Sequence, residues 1–211
     1  KNGCTTCFDH HYVFPANCGD LIGTQLGAAG ELGMRMVASR GSMDLSVKDG
    51  GLPPDSVVQT VDEILKDSVN LIEKYHDPSF GSMQQIVLAP CSPFSVSAEL
   101  LRQSAILARQ YGVRLHTHLC ETKDEEEYML QREGCRPLAY MERLGWVGSD
   151  VWYAHGIHMN DEELDLLAAT GTGVAHCPNS NMKLHSGVCR VPDILQRGVK
   201  VGLAVDGSAS K

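Results

Sequence analysis

Two histidines and a carboxylate close one apolar run of the chain, Leu115-His116-Thr117-His118-Leu119-Cys120-Glu121. The approach through Tyr111-Gly112-Val113 reads as the start of a strand. On a strand successive side chains alternate faces, so His116 and His118 point the same way, while Glu121 lies just past the strand in the following loop. A neutral imidazole is the commonest metal ligand, and a carboxylate slightly further out is placed to carry protons. His118 is therefore a candidate metal ligand and Glu121 a candidate proton carrier. Taken alone, the stretch fits two ordinary strand histidines equally well, since pairs at this spacing are common; His116 is read in that structural way.

The pattern recurs downstream. Val151-Trp152-Tyr153-Ala154 runs into His155, Gly173-Val174-Ala175 into His176-Cys177-Pro178-Asn179, and Val199–Val205 into Asp206. Four successive apolar runs thus end in His118 with Glu121, His155, His176 with Asn179, and Asp206. A carboxylate directly after Val201-Gly202-Leu203-Ala204-Val205 has no place in an apolar core. A bound divalent ion lowers the pKa of water to about 7 and makes hydroxide available at neutral pH, and a carboxylate on each side can move protons. Arg40, at an earlier strand end, and the amides Asn179 and Asn181 are candidate substrate contacts; a surface ion pair and turn-forming Asn after Pro178 are the alternatives. His76 and His158 read as a helix end and a loop.

The elements that must position these residues alternate along the chain. Apolar runs at 2–8, 34–39, 85–89, 113–119, 151–154, 173–175 and 199–205 read as strands. Between them stand helical patterns at 17–32, from Val57 to Tyr75 with Asp55 as cap, from Ser97 to Tyr111, at 137–144, from the Asn160/Glu163 capping box to Ala169, and at 191–197. The acidic segment Lys123–Glu127 reads as a solvated helix start, with carboxylates at the positive end of the dipole. A repeat of roughly 30 residues is the length of a βαβ unit, and continuously apolar strands are those covered on both faces. The expectation is an α/β fold, a TIM-type (β/α)8 barrel with one unit missing from this span. A doubly wound open sheet is the runner-up, although no G-x-G-x-x-G opens any helix.

Composition bounds the rest. The 211 residues are 43% hydrophobic and 21% charged, with a net charge of -8, which is enough chain for one sizeable core and the wrong sign for a nucleic-acid partner. No apolar run of ~18 residues could span a bilayer and no signal-peptide core opens the sequence, so a cytoplasmic protein without membrane or nucleic-acid partners is expected. The eight cysteines lie in apolar segments of a chain too long to need stapling, so free and mostly buried thiols are expected. Cys4-Thr5-Thr6-Cys7 lacks the second pair that a structural zinc would require.

Together the motifs resemble a known family. His116–Thr122, Ala154-His155-Gly156-Ile157-His158, His176–Leu184 and Val205-Asp206-Gly207-Ser208-Ala209-Ser210 are similar, in content and order, to those of the amidohydrolase superfamily, in its branch of purine, pyrimidine and triazine deaminases. The first half, with Asp9–Pro15, Ser39–Asp44 and Gly51–Asp55, is most similar to deaminases of 8-oxoguanine. The resemblance implies one divalent metal, zinc with iron as the alternative, held by His118 and by Asp206, which also takes a proton from water. It implies that Glu121 protonates the substrate ring and that His155 hydrogen-bonds at the reacting centre. The implied reaction turns 8-oxoguanine and water into urate and ammonia. A related aminohydrolase or triazine chlorohydrolase, acting on guanine, S-adenosylhomocysteine, cytosine or an atrazine-like substrate, is the alternative; an inactive barrel scaffold is a second. The family's first-strand His-x-His pair has no counterpart ahead of Lys1, and adjacent His10 and His11 cannot replace it. Residues 1–211 are accordingly expected to be an incomplete catalytic barrel domain, without the first strand and the small flanking β domain, from a homo-oligomer, a dimer or larger.

Overall fold

A computed structural model describes residues 3–15 and 17–207, and the chain divides into two compact units, Lys1–Leu115 and His116–Lys211. The first unit holds β1 (Thr6–Asp9), α1 (Leu21–Glu31), β2 (Arg35–Ser42), α2 (Val61–Tyr75), β3 (Gln84–Pro90), α3 (Ala98–Tyr111) and the start of β4 (Arg114–Leu119). Its strands are all parallel: Phe8 stands opposite Val37, Ala38 opposite Ile86, and Leu88 opposite Leu115. From Ala38 onward β2 is buried without a break, and β3 is buried from Ile86 to its end, as strands covered on both faces must be. The covering helices present Ile64, Ser68, Leu71 and Ile72 from α2, and Leu100, Leu101, Ser104, Ala105 and Ala108 from α3.

The second unit runs from the end of β4 through α4 (Lys123–Glu133), α5 (Pro137–Arg143), β5 (Val151–His155), α6 (Asp161–Thr170), β6 (Gly173–His176), α7 (Pro178–Lys183), α8 (Val191–Gln196) and β7 (Val201–Leu203). Tyr153 stands opposite Val174 and Ala175 opposite Gly202, again in parallel. In both units the strand order follows the chain and never reverses. That is the connectivity of a (β/α)8 barrel; the doubly wound alternative reverses its order at a switch point. Arg136, just ahead of α5, ties this unit together: Nε and Nη2 donate to the two Glu163 oxygens at 2.9 and 2.8 Å, and Nη2 also reaches the His158 carbonyl at 2.8 Å.

Several local expectations change. Thr60, not Asp55, caps α2: its hydroxyl accepts from the Glu63 N–H and the Glu63 carboxylate accepts from the Thr60 N–H, closing a capping box. Asp55 instead opens a short 3-10 turn, Asp55–Val57. The acidic start of α4 is not wholly solvated, because Glu125 is buried. α7 was not anticipated at all. The first strand shortens to Thr6–Asp9, with Lys1 and Asn2 outside the described residues, and the last to Val201–Leu203. All eight cysteines are free, but only Cys120, Cys177 and Cys189 are buried, four are half-buried and Cys4 is exposed; burial is thus less general than expected. Among the described residues no helix is long and apolar enough to cross a membrane.

Candidate active site

Every strand of the second unit carries, at or just past its C-terminal end, a residue that can do chemistry. β4 carries His116 and His118 on one side, their rings 6.4 Å apart. His116 is buried and its Nδ1 lies 3.0 Å from the Trp152 carbonyl, so that ring belongs to the strand pairing; burial, reinforced by His118, holds its pKa well below the usual range. His118 is only half-buried and stacks on the His155 ring with centroids 5.5 Å apart and planes at 23°.

The chain then turns sharply. Cys120 adopts φ +54°, a left-handed conformation unfavourable for a side chain, and this brings Glu121 round toward β5. The turn is fastened from both sides. The Cys120 carbonyl accepts from the Ile157 and His158 N–H groups, both at 2.9 Å, and the Glu121 N–H donates to Glu125 Oε2 at 2.9 Å. Burial pushes the Glu125 carboxyl up to about 7. Glu121 Oε2 lies 3.5 Å from His155 Nε2, and its Oε1 accepts from the Ser186 hydroxyl at 3.3 Å.

His155 closes β5 in the same strained region, at φ +73°, and only 1% of it is exposed. Its Nδ1 stands 2.9 Å from Asn181 Oδ1. Asp206, beyond β7, is the third residue of the site at positive φ, +62°, and it accepts from the Ser180 hydroxyl at 2.5 Å. Partial desolvation pushes its carboxyl up, but the Ser180 hydrogen bond and the nearby His155 and His118 outweigh this, and the net direction is down. Non-glycine residues at positive φ cost about 1–2 kcal/mol each and collect where function requires the geometry. Cys120, His155 and Asp206 are such a collection.

His118 and Asp206 are close enough for each to feel the other's charge. An imidazole nitrogen and a carboxylate oxygen suit zinc in kind. In number they fall short: among the described residues no group of three or more His, Cys, Asp or Glu is placed to hold a metal ion. The two groups fit the ion in kind and do not by themselves make up a complete zinc coordination set.

The comparisons with known proteins bear on that arrangement. The Amidohydrolase family model matches residues 1–211. The chain belongs to the amidohydrolase family. It is 53% identical over 99% of its length to 8-oxoguanine deaminase of Pseudomonas aeruginosa, covering 46% of that protein, and 43% identical over its whole length to hydroxydechloroatrazine ethylaminohydrolase of Pseudomonas sp. strain ADP, covering 44%. The chain therefore spans about half the length of the curated relatives it matches. Among solved structures, atrazine chlorohydrolase from Arthrobacter aurescens TC1, complexed with zinc, aligns with 98% of this chain and 46% of its own at a TM-score of 0.92 and 34% identity. A zinc-bound adenosine deaminase from Xanthomonas campestris aligns with 98% of this chain and 43% of its own at a TM-score of 0.83 and 26% identity. The fold class is accordingly the TIM-type barrel of these amidohydrolases.

The other anticipated site residues stand as follows. Asn179 is exposed on α7. Arg40 lies in the first unit, 1% exposed, with Nε on Asp67 Oδ2 at 2.5 Å, Nη2 on Gln59 Oε1 at 2.8 Å, Nη1 on the Gly41 carbonyl and its plane over the Phe14 ring. His176 is half-buried; burial and the neighbouring His155 lower its pKa. Of the Val205–Ser210 motif, residues 208–210 lie outside those described. Sequence reasoning passed over Ser180, Ser186 and Glu125. The one available signal for α7 was Pro178 directly after a strand, a proline at the first helical position.

Proposed function

We propose that the protein to which this chain belongs is a metal-dependent hydrolytic deaminase acting on 8-oxoguanine, with water entering and ammonia leaving to give urate. The 53% identity to 8-oxoguanine deaminase over 99% of the chain supports the substrate. The observation that carries the chemistry is the approach of Glu121 to His155 at 3.5 Å, beside His118. His118 and Asp206 would hold a divalent ion, with zinc proposed from the zinc-bound relatives; when bound, the ion acidifies water to a pKa near 7 and polarises the substrate.

The chain's own groups carry the protons. Asp206 is held ionised by Ser180 and by the two histidines, and its carboxylate takes a proton from the attacking water as the oxygen bonds to the amino-bearing carbon. Glu121, half-buried and steered by Ser186, delivers a proton to the adjacent ring nitrogen. His155 hydrogen-bonds at the tetrahedral carbon's oxygen, and collapse breaks the carbon–nitrogen bond: the proton on Asp206 leaves with ammonia, and the hydroxyl proton of the tetrahedral carbon returns to the Glu121 carboxylate as the carbonyl forms. A cytoplasmic homo-oligomer acting on a small purine-like molecule completes the reading.

The test is an ultraviolet assay of the full-length protein with 8-oxoguanine, guanine and a chlorotriazine, run beside Glu121→Gln. We expect turnover of 8-oxoguanine first among the three, and a loss of about 10²–10⁴-fold in kcat in the variant, the range for removing one positioned acid or base. Inactivity on 8-oxoguanine overturns the substrate, and an unimpaired variant overturns the role of Glu121.

A further inference from the structure

We propose that Asn181 is a positioning residue whose side-chain oxygen keeps the His155 proton on Nδ1, so that Nε2 faces Glu121 and the reacting centre as a hydrogen-bond acceptor. The inference deepens the reading of His155 given above and rests on it. Asn181 is 2% exposed and His155 1%, so neither ring nor amide has solvent as an alternative partner. Their one contact is Nδ1 to Oδ1 at 2.9 Å. An amide oxygen only accepts, so the imidazole nitrogen facing it must donate. A neutral imidazole carries one proton, and a proton fixed on Nδ1 leaves a lone pair on Nε2.

That lone pair decides what His155 can do. At Nε2 it can receive an O–H, from the attacking water or from Glu121 carrying the proton it delivers. A ring protonated at Nε2 alone would instead present an N–H there and could accept from neither. The orientation is fixed from other sides as well. The ring stacks on His118, and the backbone at φ +73° turns it off the strand end toward α7. The Asn181 amide nitrogen is enclosed and has no hydrogen-bond partner among the described residues, so in that region the oxygen to His155 is the amide's engagement.

α7 and the chain after it give the assignment its context. Ser180 donates to Asp206, Asn181 meets His155 and Ser186 donates to Glu121. One short segment reaches each of the three proton-handling residues once. Groups that orient a catalytic imidazole typically cost 10–100-fold when removed from comparable sites, because the ring then chooses its own tautomer and rotation.

The experiment uses the full-length, metal-loaded protein with 15N-labelled histidine, at about pH 8.5 where imidazoles are neutral, with His155 assigned by difference against His155→Gln. Wild type should show a protonated Nδ1 and an unprotonated Nε2. Asn181→Ala should lose that pattern, with kcat down about 10–100-fold, metal content unchanged and KM moved much less than kcat. Asn181→Asp, which keeps an acceptor, should keep the Nδ1–H pattern and exceed the alanine variant in kcat. An Nε2–H ring in wild type, or an alanine variant within about twofold of wild type in kcat, overturns the proposal. If the alanine variant does not fold, the wild-type spectrum and the aspartate variant still decide. The spectrum needs no substrate, so a failure of the substrate assignment is seen separately, in the assay, and leaves this result standing or fallen by itself.

Discussion

At the scale of the residue, the informative side chains are those whose surroundings contradict their type. Glu125 is a carboxylate in the first turn of a helix, a position that normally faces water, yet it is 2% exposed and its pKa rises from the ordinary 4.5 to about 7, chiefly through burial. The sign of the consequence follows from linkage. Between pH 4.5 and 7 the folded chain holds a proton on Glu125 that the unfolded chain has released, so stability is fully present below that window and declines as pH rises through it. The shift corresponds to a penalty on the order of 3 kcal/mol at pH 8. Glu125→Gln keeps an oxygen for the Glu121 N–H and never ionises. Urea unfolding should therefore find the variant equal to wild type near pH 5 and more stable by about 3 kcal/mol near pH 8; parallel curves would show that Glu125 is ionised in the folded chain at no cost. Residue type alone carries no warning of this. Lys123-Asp124-Glu125-Glu126-Glu127 is a run whose members cannot be told apart by type, and which one turns inward is set by the Cys120 turn. The sequence singles out His118, Glu121, His155 and Asp206 for the opposite reason: each interrupts or ends an apolar run, where an ionisable group demands an explanation, and the fold brings them near one another.

At the scale of the element, helices long enough to show a stripe could be read, and short or locally capped ones could not. α3 begins at its Ser97 cap as the sequence indicates, and α6 at its Asn160–Glu163 box. For α2 the same box signature is present at Thr60 and Glu63, but Asp55 after two prolines offers a competing cap that puts the start of the helix about a turn too early. α7 has six residues, fewer than two turns, so its Pro-Asn-Ser-Asn sequence is indistinguishable from a turn. Yet that helix supplies the partners of Asp206 and His155. The element most exposed to a single substitution is α6, whose buried Glu163 serves both its own N-terminus and the Arg136 fork. Removing the fork leaves a buried carboxylate with one charge partner fewer, and the His158 carbonyl without its guanidinium donor. Arg136→Met should cost about 2–4 kcal/mol in the unfolding free energy, the range for losing charge-assisted bonds to a largely buried acid. Because the His158 loop follows His155 directly, kcat should fall as well; a variant with unchanged melting would show that the fork is a surface pair of little worth.

At the scale of the whole molecule, the sequential order of parallel strands explains why chemistry gathers where it does. The strands of the second unit run parallel, so their C-terminal ends and the residues just after them lie at the same end of the sheet, and His118, Glu121, His155 and Asp206, up to 88 positions apart, come close together there. The same logic predicts what this span cannot do alone. A catalytic zinc site takes three protein ligands and an open position, and the described residues offer no group of three. The 211 residues cover 46% of 8-oxoguanine deaminase, which leaves room for the remaining ligands elsewhere in a longer chain. We therefore expect the full-length protein to keep about one zinc per chain through dialysis, in wild type and in Glu121→Gln alike, as follows if Glu121 is a proton carrier, as proposed, and not a ligand. Chelation of the full-length protein should abolish deamination, and added zinc should restore it. The 211-residue span expressed by itself should bind zinc weakly, with a Kd above about 1 μM, where the binding free energy is about −8.2 kcal/mol, in competition against a colorimetric chelator. Loss of zinc from the full-length Glu121→Gln variant would make Glu121 a ligand and reassign the proton transfer. Tight, stoichiometric binding by the span alone would mean that these residues complete the site among themselves, and His176, half-buried at the end of β6, would be the first to examine as the additional ligand.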